Sequence, residues 1–378
     1  MNAKVAIKRC AAYTEELVYN AVATSVDCLG GISAFVKHGE RILIKPNLLA
    51  SRTAEKAVTT HPAVIAAVIR LVKEAGAIPF VGDSPAIGSA RKAAEKSGIL
   101  DVCNTHGVQL VELKELVVVD NPAGYRFKRL EVSKEALSFD GIINCPKFKT
   151  HAQVYLTLGV KNLFGCVPGK LKPQWHLSAG VDSVDFADML LDLYYYLNPR
   201  LNVMDAITAM EGNGPANGTP AHLGLIFASS DGVAMDTVAA QVVGARPQDL
   251  PLLKAAARRN APATKPDGID LLGEPVEAVR VNGFKFPPPM SVNFAAGLPY
   301  FIDKRLRKAL TTRPVVDDKA CTLCSICVEV CPPGIMSKTR NIAIEYDSCI
   351  RCYCCQEVCP EGAIRPVQGW LKRLIPGL

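Results

Sequence analysis

The sequence has no apolar run long enough to cross a bilayer. Stretches such as His222–Ser229 fall far short of the about 20 residues that a spanning helix needs. Met1–Cys10 has no apolar leader core and no small-residue cleavage site. It reads directly as a strand with Lys4 and Lys8 interleaved, so no secretory signal is expected and a cytoplasmic location is inferred. Several catalytic signatures are also missing. There is no G-x-S-x-G, no H-E-x-x-H and no G-x-G-x-x-G, which disfavours a serine hydrolase, a zincin and a dinucleotide-binding dehydrogenase. The run Gly165-x3-Gly169-Lys170-Leu171 lacks the spacing and the Ser/Thr of a phosphate-binding P-loop. Basic residues outnumber acidic ones by 43 to 36, but they form no dense stripe, so nucleic acid is not an expected partner.

What is present is a chain of 378 residues with 49% hydrophobic and 21% charged side chains. That is globular composition, and the length suggests two or three folding units. Strand and helix signals alternate in the first half. Lys4–Arg9, Arg41–Leu49, Pro79–Gly82 and Val108–Leu113 read as strands. Between them lie helices that open near Thr14, Pro62 and Ser89. This rhythm predicts an α/β fold with a mostly parallel sheet flanked by helices. Residues 114–140 read as a hairpin or small excursion and Gly141–Cys145 as a short strand. Pro146–Gly180 reads as a long irregular segment, which in a compact domain points to function. Further on come a helix at Val184–Leu197, strands at Asn202–Asp205 and Leu223–Ala228, a helix at Val233–Val243 and a terminal strand at Ala278–Val281. The expected division is an α/β domain at 1–283, a linker with a short basic helix at 284–314, a small α+β ferredoxin-like domain at 315–366 and a tail at 367–378. The basic helix and tail are expected to pack the last domain onto the first.

Nine of the 14 cysteines lie between Cys321 and Cys359. In a reducing compartment such density means metal rather than disulfides. Two runs repeat at an offset of 28 residues: Cys321-x2-Cys324-x2-Cys327-x3-Cys331-Pro332 and Cys349-x2-Cys352-x2-Cys355-x3-Cys359-Pro360. This is the spacing of bacterial two-cluster ferredoxins, in which the fourth cysteine of each run serves the other cluster. Two [4Fe–4S] clusters are therefore expected, one on Cys321, Cys324, Cys327 and Cys359, the other on Cys349, Cys352, Cys355 and Cys331. A zinc ribbon would use two C-x2-C pairs instead. Cys354 is left over, either a packed bystander or a thiol that tunes a cluster. Cys10, Cys28, Cys103, Cys145 and Cys166 are scattered and read as packing residues.

Several segments of the larger domain carry chemistry. Lys147-x-Lys149-x-His151 follows a strand and leads into Gly159-Val-Lys161-Asn162-Leu-Phe-Gly165 and Pro168-Gly169-Lys170. Lys and His in a Gly-rich loop after a strand suit an anionic substrate. Lys45-Pro46-Asn47, with His61 beyond it, and Gly82-Asp83-Ser84-Pro85 lie at strand ends, where Ser84 can equally cap or turn the chain. Asp205 and Glu211 flank the Gly212-Asn213-Gly214 loop as a base, a metal ligand or a cap. Asp236, inside a helix, is a weaker candidate.

At these residues the chain resembles the domain-of-unknown-function 362 family, in its form with a C-terminal ferredoxin. The matching segments are Ile44–Asn47, Thr60–Ala63, Gly82–Pro85, Asn144–His151, Gly159–Gly165, Asp205–Ile207 with Glu211–Pro215, and Cys349–Cys355. The resemblance covers nearly the whole chain and implies no particular reaction. The Lys147–His151 loop and the Gly–Lys run also faintly resemble the nickel-dependent lactate racemase superfamily, where comparable His and Lys residues hold a nickel pincer cofactor. Here His151 is the one matching His.

The leading expectation is an iron–sulfur oxidoreductase that passes low-potential electrons through two clusters to an anionic small molecule in a Lys/His-lined cleft. Lys147, His151, Lys161 and Lys170 would bind and polarise it, and His151 or Glu211 would supply a proton. Lys45, Asn47, Asp83 and Asn162 would complete the binding site. Cluster chemistry implies a reducing, anoxic setting. Two alternatives remain: an electron carrier or assembly factor docking a partner redox enzyme, and a metal- or cofactor-handling protein.

Overall fold

The computed structural model describes residues 2–180, 182–288 and 311–369, with the side chains of Lys170 and Pro266 outside the described set. The expected basic helix at 300–310 and the tail from Trp370 lie outside the described residues.

Among the described residues twelve strands build the larger domain: β1 (Ala3–Arg9), β2 (Arg41–Lys45), β3 (Ile78–Asp83), β4 (Gln109–Glu112), β5 (Leu116–Asp120), β6 (Arg129–Ser133), β7 (Gly141–Asn144), β8 (Lys147–His151), β9 (Tyr155–Thr157), β10 (Leu201–Glu211), β11 (Thr219–Ser229) and β12 (Ile269–Gly273). Ten of them form one sheet. Its main path runs β12-β1-β11-β10-β7-β2-β3-β4, with β8 beside β10 and β9 beside β8. Pairing is parallel from β10 through β7, β2 and β3 to β4, and between β1 and β12. β11 runs antiparallel to both of its neighbours. The expected mostly parallel sheet is what forms.

The central strands carry near-continuous apolar runs because both faces are covered. Ile42, Leu43 and Ile44 of β2 are all buried. Helix Pro62–Glu74 starts with Pro62 in its first turn, and the His61 imidazole accepts the Ala63 N–H at 3.2 Å. Val64, Ile65, Val68, Leu71 and Val72 recur every three or four residues and form its buried face. Burying each stabilises the fold by about 1.5–3 kcal/mol. This helix and Glu15–Asp27 close one face of the sheet; Ser183–Leu197 and Gly232–Val242 belong to the core on the other.

Two local expectations are corrected. The Pro146–Gly180 segment is largely ordered, since β8 and β9 form a hairpin whose β8 joins the sheet alongside β10. Its strands carry Lys and His inward, so hydrophobic alternation does not mark them. The expected strand at Ala278–Val281 is not one: Pro275 opens a helical turn at Val276–Val279, and the edge strand is β12, nine residues earlier. The hairpin read at 114–140 is present as β5 and β6.

The C-terminal region is small and internally twofold. β13 (Arg313–Val316) pairs antiparallel with β16 (Ile364–Val367), and β14 (Met336–Lys338) with β15 (Ile342–Ile344). Short helices at Ile326–Glu329 and Cys354–Val358 start at equivalent points of the two repeats.

Candidate functional site

The cysteine runs fold around two cavities. Cys321, Cys324, Cys327 and Cys359 line one of about 350 Å³. Cys331, Cys349, Cys352 and Cys355 line the other, of about 310 Å³. In each cavity the fourth thiol comes from the opposite repeat. Among the described residues no three His, Cys, Asp or Glu side chains converge on a point suited to one metal ion. Thiols standing around a space suit a cube of iron and sulfide better than a zinc ion. The backbone agrees. Leu323 and Ser325 in the first run, and Arg351 and Tyr353 in the second, have φ between 55° and 67°. Non-glycine residues adopt this left-handed region only where the surroundings impose it. Two such residues per run, at matching positions, wrap it around its cavity.

A third cavity opens between the module and the larger domain. It lies at the carboxyl ends of β2 and β3, the position where open α/β sheets bind ligands. Lys45, the last residue of β2, pairs with Asp83, the last of β3, at 2.8 Å, and both are almost fully buried. Asp83 also accepts the Leu48 and Ser84 N–H groups at 2.6 and 2.8 Å. Gly165 lies against this pair. A Cβ there would collide with the Asp83 carboxylate and the Lys45 ammonium, so only glycine lets the loop close over them.

Lys161 and Lys172 also reach the cavity and are each only 9% exposed. Burial pushes the Lys161 ammonium below its ordinary range, and that ammonium has no hydrogen-bond partner among the described residues. Lys172 donates to the Ser84 carbonyl, and burial brings its pKa down to about 8. His176 lines the same wall, stacked 4.2 Å from Phe186 with its Nδ1 unpartnered, and burial lowers its pKa to about 3. From the module come Cys354, Glu357, Val330 and Val358.

His151 stands behind Glu357. Its Nδ1 accepts the Gln153 N–H at 3.0 Å, so in the neutral ring the proton sits on Nε2. That Nε2 is buried, without a hydrogen bond, and 3.7 Å from a Glu357 oxygen. Burial lowers the His151 pKa to about 4. For Glu357 burial opposes ionisation, but the facing His151 and nearby Lys161 prevail and hold its carboxyl well below the usual range.

An unbroken line of side-chain amides supports the wall. Lys149 donates to Asn47 at 2.7 Å, Asn47 to Asn162 at 2.9 Å, Asn162 to Asn144 at 2.8 Å, Asn144 to Asn202 at 2.8 Å, and Asn202 to the Tyr194 hydroxyl at 3.2 Å. Every amide presents its oxygen toward Lys149, which favours the ammonium form; burial nevertheless lowers the Lys149 pKa to about 7. The line holds Asn47 and Asn162 on the cavity.

Of the residues singled out from sequence, Lys45, Asn47, Asp83, Lys161 and Asn162 meet at this cavity and His151 backs it. Two others are held elsewhere. Lys147 is bonded to Asp205 at 2.7 Å and to the Tyr13 hydroxyl at 2.8 Å, in a network that His61 joins through its N–H to Asp205. Glu211 accepts the Lys285 N–H at 2.9 Å and also pairs with its ammonium. The side chain of Lys170 lies outside the described set. Asp236 caps the short helix Gly159–Asn162 by accepting the Gly159 and Val160 N–H groups. Sequence reasoning missed Lys172, His176, Cys354 and Glu357 as members of this wall. Both Lys172 and His176 stood in the segment read as irregular, and that excess of polar residues was the available signal.

No helix among the described residues is long and apolar enough to cross a membrane. A model of the family "domain of unknown function (DUF362)" matches residues 42–241, and a model of a 4Fe-4S dicluster domain matches residues 313–360. Iron–sulfur cluster binding follows from the second match and the thiol sets together. A thylakoid-associated protein of Synechocystis sp. is 41% identical over 297 residues, covering 78% of this chain and 91% of that protein. Among solved structures, the lactate racemase apoprotein from Thermoanaerobacterium thermosaccharolyticum aligns at 13% identity with a TM-score of 0.39. That alignment covers 62% of this chain, which spans about half (55%) of the racemase. The chain belongs to the DUF362 family, in a form that ends in a 4Fe-4S dicluster domain.

Proposed function

We propose that the protein is an iron–sulfur oxidoreductase in which the module holds two [4Fe–4S] clusters and delivers electrons to an anionic small molecule bound in the cavity between the domains. One observation carries this reading: a single cavity is walled both by Lys45, Lys161, Lys172 and His176 of the α/β domain and by Cys354 and Glu357, neighbours of cluster cysteines in the module. A pure electron carrier has no need of buried lysines and an unpartnered imidazole there. Buried polar atoms without partners cost about 1–3 kcal/mol each, which a bound polar ligand would offset.

When bound, the clusters supply one-electron reducing power. The chain's own residues do the rest. Lys161 and Lys172 bind the anion, and the Lys45–Asp83 pair and the Asn47–Asn162 amides fix the wall beneath it. The Lys172 ammonium, with a pKa of about 8, is the acidic proton donor on this wall, while the neutral His176 and, behind the wall, His151 offer hydrogen-bonding groups. The working domain division is the α/β domain at 1–283, a linker at 284–314, the module at 315–366 and a tail. Phe284 and Phe286 of that linker pack back onto Phe148 and Tyr155.

The test is anaerobic. Dithionite-reduced protein is mixed with small carboxylates and phosphates, and cluster reoxidation is followed by absorbance. Reoxidation that depends on one anion class and slows in Lys161→Ala supports the reading. Reoxidation indifferent to both anion and Lys161 removes the cavity from the function.

A further inference from the structure

The two four-thiol sites are not equivalent in place. The site of Cys331, Cys349, Cys352 and Cys355 faces the inter-domain cavity. Val330, next to Cys331, and Cys354, next to Cys355, both line that cavity, and Cys352 and Cys355 are buried. The helix Cys354–Val358 is docked on the α/β domain: Gln356 donates to Asn213 at 2.7 Å and to the Gly214 carbonyl at 3.0 Å. The site of Cys321, Cys324, Cys327 and Cys359 is different. Cys324 is exposed, Cys327 is buried, and Cys321 and Cys359 are half-buried, as Cys331 and Cys349 are in the inward site, so the contrast in exposure lies at Cys324. Among the described residues its hydrogen bonds to the larger domain run through two backbone carbonyls, that of Cys359, accepting from Asn217 at 3.1 Å, and that of Pro360, accepting from Arg52 at 2.7 Å. None of the eight thiol ligands itself lines the inter-domain cavity, and Val358 beside Cys359 lines it as Val330 and Cys354 do; what separates the sites is that Cys324 is exposed and that the helix Ile326–Glu329 makes no hydrogen bond to the α/β domain among the described residues.

We propose that the module has a fixed polarity: electrons enter at the outward site of Cys321, Cys324, Cys327 and Cys359, and leave for the cavity from the inward site of Cys331, Cys349, Cys352 and Cys355. An external one-electron donor loses one electron to the outward site. That site returns to its oxidised state by passing the electron to the inward one, so no atom or proton moves within the module. The assignment rests on the two-cluster reading above and adds its direction.

The experiment reads exposure rather than turnover. Cys349→Ala leaves the outward site and Cys324→Ala leaves the inward one. Each full-length variant is reconstituted without air, reduced with dithionite and titrated with an impermeant dysprosium chelate, which speeds the spin relaxation of nearby clusters. The EPR signal of Cys349→Ala should relax several-fold more strongly than that of Cys324→Ala; equal or reversed relaxation overturns the polarity. Should a variant fail to assemble, the wild-type protein decides. Ferricyanide should destroy half of its iron in a distinctly faster phase, whereas loss in one uniform phase overturns the proposal. Iron analysis separates the two readings. A wild-type protein with a single cluster defeats the two-cluster model, while two clusters of equal exposure defeat only the direction.

Discussion

Glu357 of the cluster module faces His151 of β8 across 3.7 Å, and this contact joins the helix that carries Cys355 to the buried wall of the α/β sheet. Asp83 on the same cavity is paired with Lys45, so the Glu357 carboxylate, beside Lys161, is the one that opposes an incoming anion. Glu357→Gln should tighten anion binding by about 1 kcal/mol, roughly fivefold, the scale of a partly screened charge pair. Titration calorimetry with a carboxylate or phosphate that binds the wild type checks this; weaker binding in the variant contradicts it.

Lys172 sets a pH dependence. Burial brings its pKa down to about 8, so its ammonium is lost on the alkaline side of that value. Anion affinity should fall as pH rises from about 7 to 9. In Lys172→Arg the guanidinium stays charged, and the fall should shrink to whatever Lys161 contributes. A wild-type profile flat across this range would remove Lys172 from the binding site.

His151 and His176 predict acid sensitivity. Their folded-state pKa values of about 4 and about 3 lie below the ordinary 6.5, so the unfolded chain binds more protons between those values and 6.5. Stability is therefore full above 6.5 and falls as pH falls, by up to about 1.4 kcal/mol per pH unit for each imidazole. His176→Phe, which keeps the ring against Phe186, should flatten part of that slope. Urea midpoints measured between pH 7 and 5 give the comparison.

Asn144 sits in the middle of the amide line. Asn144→Ala leaves Asn162 without one acceptor and Asn202 without a donor, both buried, for an expected loss of about 2–5 kcal/mol. Because Asn162 then loses its anchor, anion binding should weaken as well. Denaturant unfolding and the same calorimetric titration read the two effects, and a neutral result in both would show the line to be incidental.

Iron content follows from the two thiol sets. Wild-type protein reconstituted without air should hold about eight iron and eight sulfide per chain, and Cys331→Ala about four. Loss of all iron in that single variant would mean that the sites assemble only together.

The sequence by itself singled out the thiols that line the two small cavities of the module. Cysteines spaced by two residues and followed by a Cys-Pro converge locally, so spacing alone named both sets, including the crossing of Cys331 and Cys359. It also determined the parallel α/β sheet, because central strands such as Arg41–Lys45 and helices such as Pro62–Glu74 announce themselves by apolar period. Lys45, Asn47, Asp83, Lys161 and Asn162 were legible as candidates because polar residues at strand ends and in Gly-rich turns have little structural reason to be there. Only the tertiary structure decided which candidates meet. Lys147 and Lys149 are two residues apart on one strand, yet one is paired with Asp205 and the other heads the amide line; strand pairing and burial made that choice. The docking of helix Cys354–Val358 brought Glu357 and Cys354 onto a wall formed more than 150 residues earlier in the chain. No local pattern encodes that meeting, because it depends on the packing of two separately folded surfaces.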